Sequence, residues 1–151
     1  MIFRQLFEPI SSTYTYLLGC EETGEAMLID PVIVTQDRDL AELDRLGLKL
    51  AWTVDTHVTG ALELRTRTGC KIAAPAPEQV PCADLSLEHG KPLQVGSIVI
   101  NPLHTPGHTS GHFAYLVNGR VFTGDALLID GCGRTDFQNG SSDTLYDSVH
   151  R

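Results

Sequence analysis

Positive charge is scarce: 11 Lys and Arg stand against 19 Asp and Glu in 151 residues, for a net charge of −8 with the histidines neutral. A surface that acidic has no electrostatic footprint for phosphate backbones or anionic headgroups, so neither nucleic acid nor a membrane surface is an expected partner. No apolar run approaches the roughly 18 residues of a membrane span. The opening, Met1 to Glu8, alternates polar and apolar residues and includes Arg4 and Glu8, which fits neither a secretory signal nor a transit peptide. Cysteine is sparse and scattered: Cys20, Cys70, Cys82 and Cys132 form no C-x-x-C pair. That spacing argues against a disulfide framework or a zinc ribbon and makes a reducing cytoplasm the expected location. With no internal repeat, low-complexity tract or linker, residues 1–151 are expected to form a single domain burying roughly 68–70% of its unfolded surface.

Periodicity supplies the elements. Ile2 to Phe7 and Ser12 to Leu18 alternate like half-exposed strands, and Ala26 to Ile29 suggests a third that stops at Asp30-Pro31. Leu40, Leu43, Leu46 and Leu48 recur at helical spacing within Arg38 to Leu48, and Gly47 supplies a stop signal. The apolar stretch Leu48 to Val54 reads as a buried strand that delivers Asp55, Thr56 and His57 at its carboxyl end, where open α/β sheets bind ligands. A short helix ending at Gly69, a strand over Cys70 to Ala74 and a loop over Pro75 to Pro81 follow. Val95 to Pro102, His112 to Val117 and Arg120 to Thr123 read as strands, the last two joined by the hairpin signal Asn118-Gly119. Gly124 to Gly140 reads as a loop, with Ser142 or Asp143 capping a final helix over Thr144 to Arg151.

Three metal-ligand side chains lie at or just beyond strand ends: His57, His108 and Asp125. Two histidines and a carboxylate are the donor set of a mononuclear iron(II) oxygenase, and half that of a dinuclear zinc hydrolase. His104, His108 and His112 are spaced by four, but Pro106 and Gly107 break any helix through them, so His104 and His112 read as sheet residues. Arg134 has two readings, a site for a substrate carboxylate or a loop pairing with Asp136. Cys132 reads as a buried thiol, with nothing in its context to depress its pKa.

Several runs carry a family resemblance: Leu28-Ile29-Asp30-Pro31, Thr105-Pro106-Gly107-His108-Thr109, Phe122-Thr123-Gly124-Asp125-Ala126-Leu127-Leu128-Ile129 and Gly131-Cys132-Gly133-Arg134-Thr135-Asp136-Phe137-Gln138. On these, and on Met1 to Phe7 and Ser12 to Leu18, the chain resembles the metallo-β-lactamase superfamily and, within it, the persulfide dioxygenases, relatives of glyoxalase II. The resemblance implies an αββα fold of the α/β class. It also implies an iron triad of His57, His108 and Asp125 with one Fe(II) per chain, and oxidation of glutathione persulfide by dioxygen to sulfite and glutathione. Asp30 would support the ligands from behind, the alternative being a turn-initiating Asp before Pro31. Arg134 would bind the glutathione carboxylate.

The family's metal loop reads T-H-x-H-x-D-H before V-T-G, whereas Asp55-Thr56-His57 runs directly into Val58-Thr59-Gly60, five residues shorter. His57 can therefore be aligned with the first or the last histidine of that motif, and the first is preferred because it keeps the iron triad. The family also continues beyond the helix in which Arg151 falls. A chain without that continuation is expected to expose an apolar patch and an open sheet edge, and to allow a homodimer. The alternative functions are a zinc thioester hydrolase of the glyoxalase II type and an inactive, truncated relative.

Overall fold

The computed structural model describes residues 1–56 and 61–151. Strands β1 (Ile2–Glu8) and β2 (Thr13–Gly19) form an antiparallel hairpin, β3 (Glu25–Ile29) pairs antiparallel with β2, and the sheet then turns parallel. Helix α1 (Gln36–Arg45) crosses over to β4 (Lys49–Val54), and α2 (Ala61–Thr68) leads to β5 (Lys71–Pro75) and the short β6 (Leu85–Leu87). The result is a six-stranded sheet in the order β1-β2-β3-β4-β5-β6. A second sheet, in the order β10-β9-β8-β7, is made from β7 (Leu93–Val95), β8 (Ile98–His104), β9 (Phe113–Val117) and β10 (Arg120–Phe122). Helix α3 (Ser142–Val149) follows the long loop after β10.

Alternation along the strands sorts the apolar residues into two cores. Leu18, Met27, Ile29 and Val54 point between the sheets, where they meet Ile98, Ile100, Phe113, Tyr115 and Val117. Their neighbours Leu17, Ala26, Leu28 and Leu50 point the other way and are covered by Leu43 of α1 and Leu64 of α2. Between β3 and β4 the register slips: Ala26 faces Leu50 but Met27 faces Trp52, so Ala51 is the extra residue of a bulge. Helix, sheet and sheet are thus three of the expected αββα layers. On the outer face of the second sheet Val99 and Val121 remain 42% and 52% exposed.

Several boundaries differ from the sequence expectation. Helix α1 spans Gln36–Arg45 rather than 38–48. Its last turn closes when the Leu46 and Gly47 amides donate to the Glu42 and Asp44 carbonyls, and Gly47 reverses the chain at φ +66°. The cap of α3 is Ser141, whose hydroxyl accepts from the Thr144 amide, not Ser142 or Asp143. The expected strand Val95 to Pro102 divides at Gly96-Ser97 between β7, which ends at Val95, and β8, which starts at Ile98, and the three-residue β6 has no counterpart in the sequence expectation. The Asn118-Gly119 hairpin is as expected, both residues having positive φ.

Candidate metal centre

The carboxyl ends of β3 and β4 converge with the loops that follow β8 and β10. Asp30 ends β3 with φ +50°, the left-handed conformation Asp tolerates at a turn. Its Oδ1 accepts from the Thr56 amide at 2.8 Å, and both of its oxygens accept from the Thr56 hydroxyl at 3.0–3.1 Å. Asp30 is therefore the turn residue and also the latch on Thr56, the residue that precedes His57 in the sequence. Thr15 reinforces the latch by donating to the Asp30 carbonyl. The Tyr115 hydroxyl donates to the Asp55 carbonyl, and the Phe113 amide donates to the Thr56 carbonyl at 3.0 Å. Burial of Tyr115 raises its pKa well above the ordinary value, so this phenol stays a donor. His57 lies outside the described residues.

His108 sits in a loop closed by the Thr105 amide donating to the His112 carbonyl. The loop is seated on α3, with the Ser141 amide donating to the Gly107 carbonyl and the Ser148 hydroxyl to the Pro106 carbonyl. His108 Nδ1 lies 2.8 Å from the Arg134 carbonyl oxygen and Nε2 lies 3.2 Å from Asp125 Oδ2. A carbonyl only accepts, so Nδ1 carries a proton, and in the neutral imidazole the lone pair belongs to Nε2. Nε2 and Asp125 Oδ2 therefore face each other, an arrangement that suits two donors to one shared cation when the ring is neutral and an ion pair when it is protonated.

Two glycines make the approach feasible. A Cβ on Gly133 would fall 2.4 Å from the Asp125 carbonyl oxygen and 2.9 Å from His108 Nδ1. One on Gly124, at φ +49°, would fall 2.5 Å from the Thr56 hydroxyl and 2.8 Å from His112 Nε2.

The donor chemistry fits a transition metal. Imidazole nitrogen and carboxylate oxygen each bind such ions at about 2.0–2.2 Å, so donors 3.2 Å apart can occupy neighbouring positions around one ion. The bond from the distal ring nitrogen to a backbone carbonyl is the usual partner of a ligating histidine. Among the described residues no three His, Cys, Asp or Glu side chains gather into a metal-holding group. The other sequence candidates are placed differently. His112 is fully buried just before β9, with Nδ1 2.9 Å from the Thr105 hydroxyl, and His104 ends β8 with Nε2 3.1 Å from the Ser110 carbonyl. Arg134 forms an exposed two-bond fork with Asp136, at 2.8 and 3.0 Å, which raises the pKa of the guanidinium and lowers that of the carboxyl. Cys132 is exposed, not buried.

Two features escaped sequence reasoning. Thr56 joins Asp30, Phe113 and the Gly124 turn, partners 26 or more residues away. At the far end of the sandwich, hydrogen bonds from the Ser97 hydroxyl and amide lower the Cys20 thiol to about 6. The partner is 77 residues distant, and no local pattern signals it.

Beside Asp30, Thr56 and Asp125 opens a cavity of about 840 Å³, walled by the β1–β2 loop, residues 31–34, residues 123–125 and residues 127–129. Its size is that of a small-molecule site.

Residues 56–151 match the Metallo-beta-lactamase superfamily. The human mitochondrial persulfide dioxygenase ETHE1 is 45% identical over 99% of this chain, which spans 62% of that relative's length. A hydroxyacylglutathione hydrolase of Methylococcus capsulatus is 33% identical over 94% of the chain and 57% of its own length. The crystal structure of ETHE1 from Myxococcus xanthus superposes with a TM-score of 0.96 at 49% identity, covering the whole of this chain and 69% of that one. With its paired sheets, its site at their shared end and these relatives, the chain belongs to the metallo-beta-lactamase superfamily.

Proposed function

We propose that this chain carries the metal-binding core of a persulfide dioxygenase, which oxidises an organic persulfide with dioxygen. The observation that supports this reading best is the paired placement of His108 Nε2 and Asp125 Oδ2 at the edge of the cavity. The likeness to persulfide dioxygenases supports it independently. In this reading residues 1–151 act as one domain, His108 and Asp125 hold iron(II), one per chain, and His57 is the third ligand. When bound, iron(II) supplies open positions and electrons for dioxygen chemistry.

The overall change is RSSH + O2 + H2O → RSH + SO3²⁻ + 2 H⁺. The S–S bond breaks, the outer sulfur leaves as sulfite with two oxygens from dioxygen and one from water, and a net four electrons pass to dioxygen. This chain's own groups orient and shield. The Arg134 carbonyl holds the His108 proton on Nδ1, which leaves Nε2 as the donor. Asp30, through Thr56, anchors the start of the segment that bears His57. The cavity walls remove the persulfide carrier from bulk water and so raise the effective concentration of the reacting sulfur. The family resemblance makes glutathione the first carrier to test. For Arg134 to bind its carboxylate, the fork with Asp136 would have to open. The four unpaired cysteines favour a reducing, cytoplasmic setting.

The test is anaerobic loading with iron(II), metal analysis, and measurement of oxygen uptake and sulfite with glutathione persulfide. Iron near one per chain with matched oxygen loss and sulfite is expected, and both should vanish in Asp125→Ala. A zinc-loaded protein that hydrolyses lactoylglutathione while the iron form consumes no oxygen would replace this reading with the hydrolase one.

A further inference from the structure

The His108 loop is seated on α3 and bonded to the Arg134 carbonyl, and a further hold reaches it from the other sheet. β5 runs out of the six-stranded sheet into a single tight turn, Ala76–Glu78, where Pro77 fixes the backbone and Gln79 then reverses the chain at φ +49°. This turn carries Glu78 to the loop between β8 and β9. Glu78 Oε1 accepts from the Thr109 hydroxyl at 2.8 Å, across 31 residues of sequence. Thr109 is 2% exposed, so water is a poor substitute for that acceptor. The same residue closes the loop, its carbonyl accepting from the Gly107 amide at 2.9 Å. His108 lies between the two residues so joined.

Gly111 makes room for the contact. A Cβ there would fall 2.5 Å from Glu78 Oε1, 2.8 Å from its Cδ and 2.9 Å from its Cγ. The Glu78 side chain therefore lies flat on the Gly111 backbone. These are the far atoms of a flexible side chain, so a methyl group at Gly111 would push the carboxylate aside and spare the backbone.

We propose that Glu78 is a positioning residue for His108: acting through Thr109, it keeps the imidazole turned with Nδ1 toward the Arg134 carbonyl and Nε2 toward Asp125. The inference rests on the metal reading above only for its effect on metal affinity. A ring released from this orientation loses the Arg134 bond, and its proton is then free to move to Nε2, the nitrogen that must stay bare to bind a metal.

Two measurements test this. In the metal-free protein with the ring neutral, nitrogen NMR of the His108 imidazole reads the tautomer, and competition with a chromophoric chelator reads the iron(II) affinity. Glu78→Ala should raise the Nε2–H population severalfold and lower the affinity about tenfold or more. Glu78→Gln, which keeps an acceptor for Thr109, should restore both to within about twofold. Gly111→Ala should reproduce Glu78→Ala, and should add almost nothing when combined with it. An unmoved tautomer in Glu78→Ala overturns the proposal, as does an equal loss in Glu78→Gln. So does a Gly111→Ala effect that persists in full without Glu78. If the unsubstituted protein binds no iron(II) while the tautomer shifts as expected, the metal reading falls and this one stands. Iron(II) bound equally well by Glu78→Ala and the unsubstituted protein overturns this one and leaves the metal reading intact.

Discussion

The two sides of the candidate metal centre are held by opposite means. On the side of the six-stranded sheet, a side chain does the holding, with the Asp30 carboxylate gripping the amide and hydroxyl of Thr56. On the side of the four-stranded sheet, missing side chains do it: Gly124 and Gly133 let backbone lie against Thr56, His108 and Asp125 at distances no Cβ would permit. One side therefore fails when atoms are removed and the other when atoms are added. The contrast also separates what a sequence discloses, since a carboxylate beside a proline draws notice whereas a glycine in a glycine-rich loop does not.

Adding atoms should have the larger effect. Gly124→Val combines a left-handed backbone with a Cβ 2.5 Å from the Thr56 hydroxyl, and is expected to destabilise the fold by about 3 kcal/mol or more. Urea denaturation measures this, and a loss under 1 kcal/mol would mean that the close approach is dispensable. Removing atoms comes next. Asp30→Ala removes the acceptor of the Thr56 amide and should cost about 2 kcal/mol, whereas Asp30→Asn, which keeps an acceptor, should cost about half that. Equal losses in the two variants would show that the latch is electrostatic and not a matter of hydrogen-bond acceptance.

A smaller change tests whether α3 belongs to the glycine side. Ser141→Ala removes the cap of the helix on which the His108 loop is seated, and should cost about 1 kcal/mol. It should also weaken metal binding severalfold, read by competition with a chromophoric chelator. Unchanged affinity would detach α3 from the site.

The smallest effect concerns acid. Glu8 has a lowered pKa because the Ser11 hydroxyl and the Ser11 and Ile10 amides donate to its carboxylate. A carboxylate whose pKa is lower folded than unfolded stabilises the protein above the ordinary value of 4.5 and loses that contribution as pH falls through the folded value. Thermal melts from pH 6 to 3 should show this loss, and Glu8→Gln should flatten it.

Much of the fold was legible because the inner strands alternate cleanly between two cores. Leu17 and Leu18, or Met27 and Leu28, point to opposite faces, and a period of two is visible in five residues. β6 was not legible because its three residues carry too little period, and it takes its pairing from the neighbouring β5. The sequence does not distinguish Ser141 from Ser142 and Asp143, which are equally good caps, and only the docked loop selects among them. At the site, His108 and Asp125 were found by spacing and motif, and the structure brings them together. The third expected ligand, His57, falls in residues 57–60, outside those described. The Arg134–Asp136 fork was one of two sequence readings, and it is the arrangement present.

The bond from the Phe113 amide to the Thr56 carbonyl stitches one sheet to the other at the site end. At the opposite end the comparable tie runs from Ser97 to the sulfur of Cys20, a weak acceptor. Breathing of the sandwich should therefore resemble the opening of a book whose spine is the candidate metal centre. Amide hydrogens near Ser97 would exchange on the fast side and that of Phe113 among the slowest, so that the end bearing His108 and Asp125 stays registered while the far margins loosen.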